Sequence, residues 1–341
     1  MNHPALMRAM AITAFALCFC VVVLGAYVRL SNAGLGCPDW PGCYGHLTPA
    51  GAAADAHTRA APLAVHALNV GKAWREMVHR YAAGTLALLI VGLALATAIW
   101  RRERILASGY AWALAAVVIL QAVLGALTVT QQLKPLIVTS HLLFGFTTLS
   151  LLWWLVLTIW WHGRRNAAAA GSTGPGSDPA RLRIARAAAL TGLCILGIQI
   201  ALGGWTSSNY AAIACPDLPT CQGSWWPKAD FRSAYVLWRG LNIDYEGGVL
   251  ANPARVAIHL THRVGAIGVT LALLIAAVLA SRVDGGRVRM AAWLLLAALG
   301  LQLAIGVTMV WRGFPLWIAT AHNAGAALLL LATLSLYKSL R

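Results

Sequence analysis

Eight stretches of this chain are apolar for long enough to cross a bilayer, and no other feature limits its fold as strongly. A helix needs about 20 mostly apolar residues to span the hydrocarbon core. Segments 11–30, 76–99, 109–130, 136–161, 185–206, 256–280, 290–311 and 316–337 each supply them. The composition agrees, since 60% of the 341 residues are hydrophobic and only 11% are charged. Ordinary soluble domains carry about 25% charged residues, and a disordered chain would be far less hydrophobic. The expectation is an all-α polytopic membrane protein with eight transmembrane helices. Arg8 ahead of the first apolar run resembles the start of a signal peptide. That run is long, however, and Val28-Arg29-Leu30 is a poor small-residue cleavage site, so an uncleaved first helix is expected.

The net charge of +16 would point to nucleic acid in a soluble protein. Here the charges lie between apolar segments and form no basic stripe with interleaved aromatics, so a nucleic-acid partner is not expected and lipid is. With a cytoplasmic amino terminus, the inner side takes Arg8, Arg101, Arg102, Arg104, Arg164, Arg165, Arg181, Arg183, Arg186, Arg282, Arg287, Arg289, Lys338 and Arg341, mostly in short loops and ends. Short basic loops face inward, so both termini are expected in the cytoplasm. Residues 163–184, rich in Ala, Gly, Ser and Pro, read as a flexible linker. This orientation puts Cys37 and Cys43 in the first outer loop and Cys215 and Cys221 in the third, where an oxidising compartment permits disulfides. Each pair encloses five residues with two prolines, a loop able to close at a Cα separation of about 5.5 Å. A structural staple and a redox relay are both open for the first pair. Cys18, Cys20 and Cys194 fall inside apolar segments and read as small buried hydrophobes.

The chain repeats itself. Leu24-Gly25 followed by Cys37-Pro-Asp-Trp-Pro-Gly-Cys43 matches Leu202-Gly203 followed by Cys215-Pro-Asp-Leu-Pro-Thr-Cys221. Trp74-Arg-Glu-Met-Val-His-Arg80 matches Ala257-Ile-His-Leu-Thr-His-Arg263, and Gln121, Gly125 and His141 match Gln302, Gly306 and His322. Several motifs in one order indicate two duplicated four-helix bundles, 1–162 and 185–341, repeated in parallel because four spans return the chain to its starting side.

Ionisable groups inside spans are costly and mark function by default. His79 and His141 lie near the outer ends of the second and fourth spans, and His262 and His322 hold the same places in the sixth and eighth. One imidazole on each of two facing helices can hold a heme from both sides, whereas a closed zinc site needs more ligands. Arg80 and Arg263, each directly after a histidine, suit either heme propionates or interfacial anchoring. Gly84, Gly145, Gly265 and Gly325 offer room for close approach but are equally ordinary in membrane helices. His3 and His162 on the inner side, and His46, His57 and His66 in the first outer loop, read as solvated or structural. Most of the 15 tryptophans fit interfacial anchoring.

The Glu76-x-x-His79-Arg80 motif, the paired cysteines, His141 with its copy His322, and the duplicated plan together resemble the heme A synthase family, in its bacterial, cysteine-pair-containing form. The resemblance covers nearly the whole chain. It implies oxidation of a heme O methyl group to a formyl group, giving heme A for terminal oxidases. It also implies a substrate heme between His79 and His141 and a resident heme b between His262 and His322. The first half (1–162) is then the catalytic one. Further implications are a multi-pass protein of the bacterial inner membrane, heme O handed over by heme O synthase, an electron acceptor such as quinone, and homo-oligomer formation left open. The Ala-rich stretch 50–65 has no evident motif.

Glu76 stands three residues before His79, on the same helical face, while the matching position in the second half is His259. A carboxylate there can take a proton or stabilise positive charge developing at a methyl carbon, which makes Glu76 the catalytic candidate. Pairing with Arg75 or Arg80 is its plain structural alternative. Two rival functions remain, a di-heme b electron carrier that leaves heme unaltered and a transporter with histidine proton relays.

Overall fold

A computed structural model describes residues 3–55, 68–100, 108–168 and 178–341. Its eight long helices are α1 (His3–Leu30), α2 (Val70–Ile99), α3 (Ser108–Thr130), α4 (Pro135–Ala168), α5 (Pro179–Ser208), α6 (Asn252–Ser281), α7 (Gly286–Trp311) and α8 (Leu316–Ser339). Each contains a stretch long and apolar enough to cross a membrane. Among the described residues there are no strands, only the isolated bridges Cys43–His46 and Cys221–Ser224. The protein is an all-α, multi-pass membrane protein.

Several helices outrun their apolar segments, because the end of a helix is set by capping as well as by lipid. The Asn69 side chain accepts a hydrogen bond from Lys72 N at 3.0 Å, which starts α2 well before position 76. The Asp178 carboxylate accepts from Ala180 N at 2.9 Å and Pro179 opens α5, a favoured first-turn residue. α4 continues to Ala168. The segment 163–184 is therefore helical at both of its ends. Residues 169–177, Arg101, Arg102, Arg104, His57 and His66 lie outside the described residues, as does most of the stretch 50–65. Its described beginning, Pro49–Ala54, is a short helix capped by the Thr48 hydroxyl.

Two compact units divide the chain. The first comprises Met1–Leu149, Ser207–Tyr210 and Arg232–Ala251. Within it α1 packs on α2 and α2 on α3, and α2 turns Ala73, Met77, Leu86, Ile90, Leu93 and Thr97 inward at helical spacing. Arg29, at the end of α1, donates to the Ser207 carbonyl at 2.8 Å and to the Tyr210 hydroxyl at 3.1 Å. The segment 232–251 lies as a strap on this unit. Tyr245 N donates to the Gln132 carbonyl at 3.1 Å, and the Tyr245 ring is buried with Leu35, Val129 and Leu133. Lys72 pairs with Glu246 at 3.2 Å.

The second unit comprises Ser150–Thr206, Ala211–Phe231 and Asn252–Arg341. Here α6 packs on α7 and α7 on α8. The later part of α4 is fastened to α8, with Trp153 Nε1 donating to Ser335 Oγ at 2.9 Å and Lys338 Nζ to the Trp154 carbonyl at 2.8 Å. The Leu340 carbonyl, beyond α8, accepts from Arg186 Nε at 3.0 Å.

Lys134 is the strap's most buried anchor. It is 2% exposed, its Nζ donates to the Gly240 carbonyl at 2.8 Å, and the Trp238 ring lies 3.5 Å away. Lys134→Met keeps the aliphatic stem but removes the charge, and a hydrogen bond to a charged group contributes about 1.5–3 kcal/mol. Amide hydrogen exchange at Gly240–Tyr245 should accelerate about tenfold or more while the spans keep their protection. Unchanged exchange would show that the lysine does not hold the strap.

Candidate functional site

The four intramembrane histidines share one local design. His79 and His262 sit near the starts of α2 and α6, and His141 and His322 near the starts of α4 and α8. Each ring lies against a glycine of the preceding helix. A methyl group placed on Gly25 would stand 3.0 Å from His79 Cε1, and one on Gly203 would stand 3.3 Å from His262 Cε1. Gly125 stands in the same relation to His141 at 3.3 Å, and Gly306 to His322 at 3.1 Å. A side chain at any of the four positions would crowd the imidazole. These four glycines are legible in the sequence only as landmarks of the repeat. Each half therefore carries two such histidines, His79 and His141 in the first and His262 and His322 in the second.

The other glycines near the histidines have a different task. Gly145, Gly265 and Gly325 face the side-chain amides of Gln121, Gln199 and Gln302, while nothing lies within 4 Å of a Cβ built on Gly84. Gln199 Nε2 lies 3.1 Å from His262 Nδ1 and donates to the His262 carbonyl at 2.9 Å. Gln302 Nε2 lies 3.3 Å from His322 Nε2. Gln121 Nε2 donates to the His141 carbonyl at 2.8 Å.

Beside the histidines are two closely matching loops. Disulfides join Cys37 to Cys43 and Cys215 to Cys221 at Cα separations of 4.7 and 4.6 Å, and both loops contain a cis proline, Pro41 and Pro219. Their aspartates fold them. Asp39 accepts from Tyr44 N at 2.6 Å and Gly45 N at 2.9 Å, and Asp217 accepts from Gln222 N at 2.6 Å and Gly223 N at 3.0 Å. Gly45 and Gly223 take φ values of 76° and 72°, the left-handed region that glycine enters without strain. The Thr220 hydroxyl above all, with the Gly223 and Gln222 amides, holds the Asp217 carboxyl below the usual carboxylate range. Burial, then the nearby Asp39 and Glu76 carboxylates, push the Tyr44 phenol up.

The arginines after the histidines fasten these loops to the helices. Arg80 donates to the carbonyls of Asp39 at 2.8 Å and Gly42 at 2.5 Å. Arg263 donates to those of Asp217 and Thr220, both at 2.7 Å, and of Cys215 at 3.1 Å. Loop carbonyls thus take donors for which the sequence offers heme propionates or the membrane interface. One turn earlier the halves part. Glu76, 4% exposed, is ion-paired with Arg80 and accepts from Cys37 N at 3.0 Å. His259, also buried, bonds instead to the backbone of Ala211 and Ala212 and meets the Phe314 ring edge-on at 6.2 Å.

This arrangement fits heme. Nδ1 of His79, His141 and His322 is buried without a hydrogen-bond partner, a state that favours a metal or another acceptor of the ring's lone pair. Among the described residues no three His, Cys, Asp or Glu side chains form a metal cluster. Two imidazoles in each half, each backed by a glycine, are a donor set that would suit heme iron.

A family model described as cytochrome oxidase assembly protein matches residues 8–334. The heme A synthase of Shewanella oneidensis is 40% identical over 320 residues, which cover 93% of this chain and 91% of that protein. The heme A synthase of Rhizorhabdus wittichii is 28% identical over 341 residues, covering 93% and 89%. That of Geobacillus kaustophilus is 32% identical over 167 residues, covering 48% and 46%.

Two outcomes are expected from the loops. A membrane-impermeant maleimide should leave Cys37, Cys43, Cys215 and Cys221 unlabelled until reductant is added; full labelling without reductant would exclude both bonds. The Asp217 carboxyl is depressed on folding, so its contribution to the loop is complete above the ordinary carboxylate pKa and is lost as pH falls through the lower folded value. Amide exchange at Gln222 and Gly223, corrected for the intrinsic rate, should therefore rise with acid, and Asp217→Asn should show that rise already at neutral pH.

Proposed function

The chain belongs to the cytochrome oxidase assembly protein family, and on that premise we propose that it makes heme A from heme O by oxidising one methyl group of the macrocycle to a formyl group. The observation that carries this reading is the set of four half-buried imidazoles, two in each half, each ring lying against a glycine. An oxidation of heme needs one site for the substrate and one for a resident redox group. In our reading His79 and His141 hold the substrate heme and His262 and His322 hold heme b. When bound, heme b supplies one-electron redox chemistry.

The chain's own residues orient, hold and exclude. The imidazoles fix the plane of each macrocycle, and the glycines behind them fix the rings. Each of two successive hydroxylations replaces one hydrogen of the methyl carbon by a hydroxyl taken from water and releases two protons and two electrons, the electrons passing to the acceptor. The geminal diol so formed loses water to leave the aldehyde. Glu76 is the group beside the substrate site able to receive a proton or stabilise charge at that carbon. Its contacts with Arg80 and Cys37 N hold it in one position, so the same carboxylate ties the disulfide loop to the helical turn bearing His79. His259 replaces it in the half that only holds heme and passes electrons.

Two duplicated four-helix bundles, 1–162 and 185–341, joined by a cytoplasmic linker at 163–184, complete the reading. The membrane is the bacterial inner membrane, both termini are cytoplasmic, and the cysteine loops face outward, as the short basic loops favour. A heme O synthase delivers the substrate, and a quinone accepts the electrons. A di-heme b carrier would share the histidines but would leave heme unaltered.

Extraction and chromatography of the bound pigments tests the function directly. Heme O or heme A beside heme b is expected, and heme b alone would indicate the electron carrier. His262→Ala and His322→Ala should each remove the resident heme b, and a purified His262→Ala protein with full heme b and an unchanged low-spin spectrum would overturn the ligand assignment. Glu76→Gln should keep both hemes yet lower conversion of heme O at least a hundredfold, within the usual range for loss of an acid–base group. Normal heme A from Glu76→Gln would remove it from the mechanism.

A further inference from the structure

The two halves differ behind one histidine in a way that bears on how firmly each holds its heme. In the second half the Gln199 amide lies 3.1 Å from His262 Nδ1 and 2.9 Å from the His262 carbonyl, and its Oε1 is buried without a partner. The amide has room because position 265, three residues after His262, is glycine. A Cβ there would run into Gln199 Oε1. The repeat places Val21 at the position of Gln199 and Ala82 at that of Gly265. Val21 is buried and has no hydrogen-bonding group, and Nδ1 of His79 is buried without a partner. The second pair of ligands differs between the halves in another way, at Nε2 instead of Nδ1. Gln302 reaches the His322 ring over Gly325, whereas Gln121 bonds the His141 backbone carbonyl and Phe144 stands three residues after His141.

A metal-bound imidazole nearly always engages its other ring nitrogen in a hydrogen bond, and loss of that partner typically costs 10–100-fold in metal affinity. In the structure the amide nitrogen faces Nδ1 and donates to the His262 carbonyl. With iron on the opposite ring nitrogen Nδ1 carries the proton, and the amide turns its unpartnered Oε1 to that N–H at the cost of the bond to the carbonyl. We propose that Gln199, admitted by Gly265, is a positioning residue that makes the second-half heme a permanent fixture, and that Val21 with Ala82 leaves His79 without such a partner so that the first-half heme exchanges. The inference rests on the assignment of the resident heme to His262 and His322 made above. It supplies a physical reason for one half to retain heme while the other must accept a substrate heme and release a product.

The test uses full-length protein in detergent, loaded with heme b at both sites and mixed with excess apomyoglobin as heme acceptor. Wild-type protein should lose heme in a fast phase from the first half and a slow phase from the second. Gln199→Val should speed the slow phase about tenfold or more. It should also raise the midpoint potential of that heme, because an imidazole without a hydrogen-bond acceptor donates less charge to ferric iron. The reciprocal Val21→Gln/Ala82→Gly double variant should slow the fast phase. A slow phase and potential unchanged by Gln199→Val would overturn the proposal. If that chain does not accumulate in the membrane, the double variant decides alone, and an unaltered fast phase refutes it. His262→Ala separates this failure from a wrong ligand assignment. A slow phase surviving His262→Ala discards the assignment itself; one abolished by His262→Ala but indifferent to Gln199→Val discards only the role of Gln199.

Discussion

Everything proposed for this protein depends on a contact between an imidazole and a glycine backbone on the preceding helix. Helices in lipid gain little from burying apolar surface against one another, because the surrounding tails are equally apolar. Close approach at small residues and hydrogen bonds across the interface do more of the work. Gly25, Gly125, Gly203 and Gly306 let a histidine ring take the space of a missing side chain. A ring so seated has little rotational freedom, and a ligand must be oriented before it can bind a metal well.

The loops depend on the same helical turns. Arg80 and Arg263 immediately follow ligand candidates and spend their donors on carbonyls of the disulfide loops. A guanidinium presents several donors in a fixed fork, so one side chain gathers the carbonyls of a tight turn that has no sheet or helix to absorb them. In the first unit Glu76 extends this fastening to Cys37 N. The Cys37–Cys43 loop is thereby tied to the turn carrying His79 through two side chains. The second unit has the arginine without the carboxylate, and His259 turns to the backbone of Ala211 and Ala212 instead. The two halves thus agree where an arginine holds a loop and differ at the position one turn earlier.

That division of labour also appears in the amides. In the half proposed to retain heme, Gln199 and Gln302 reach the histidine rings over glycines; in the half proposed to exchange it, the positions matching Gln199, Gly265 and Gly325 are Val21, Ala82 and Phe144. On the proposed reading, small substitutions around the ligands of a repeated unit suffice to separate the functions of its two copies.

Much of this was already legible along the chain. Eight apolar segments dictate eight helices, because a backbone in lipid must satisfy its own hydrogen bonds, and recurring motifs expose the internal repeat and the four histidines without any coordinates. Helix ends were less legible, since the caps at Asn69 and Asp178 extend α2 and α5 beyond their apolar runs. The sequence left open whether Arg80 meets a propionate, a lipid headgroup or something else. It also gave no sign that Gly25 and Gly203 back the histidines while Gly84 backs nothing. These are questions of which side chain lies across from which, between residues tens of positions apart on different helices. Apolar periodicity decides that a helix forms and roughly where it lies. The rotation of each helix about its axis, and so the partner of each glycine, glutamine and arginine, is settled only when the helices pack.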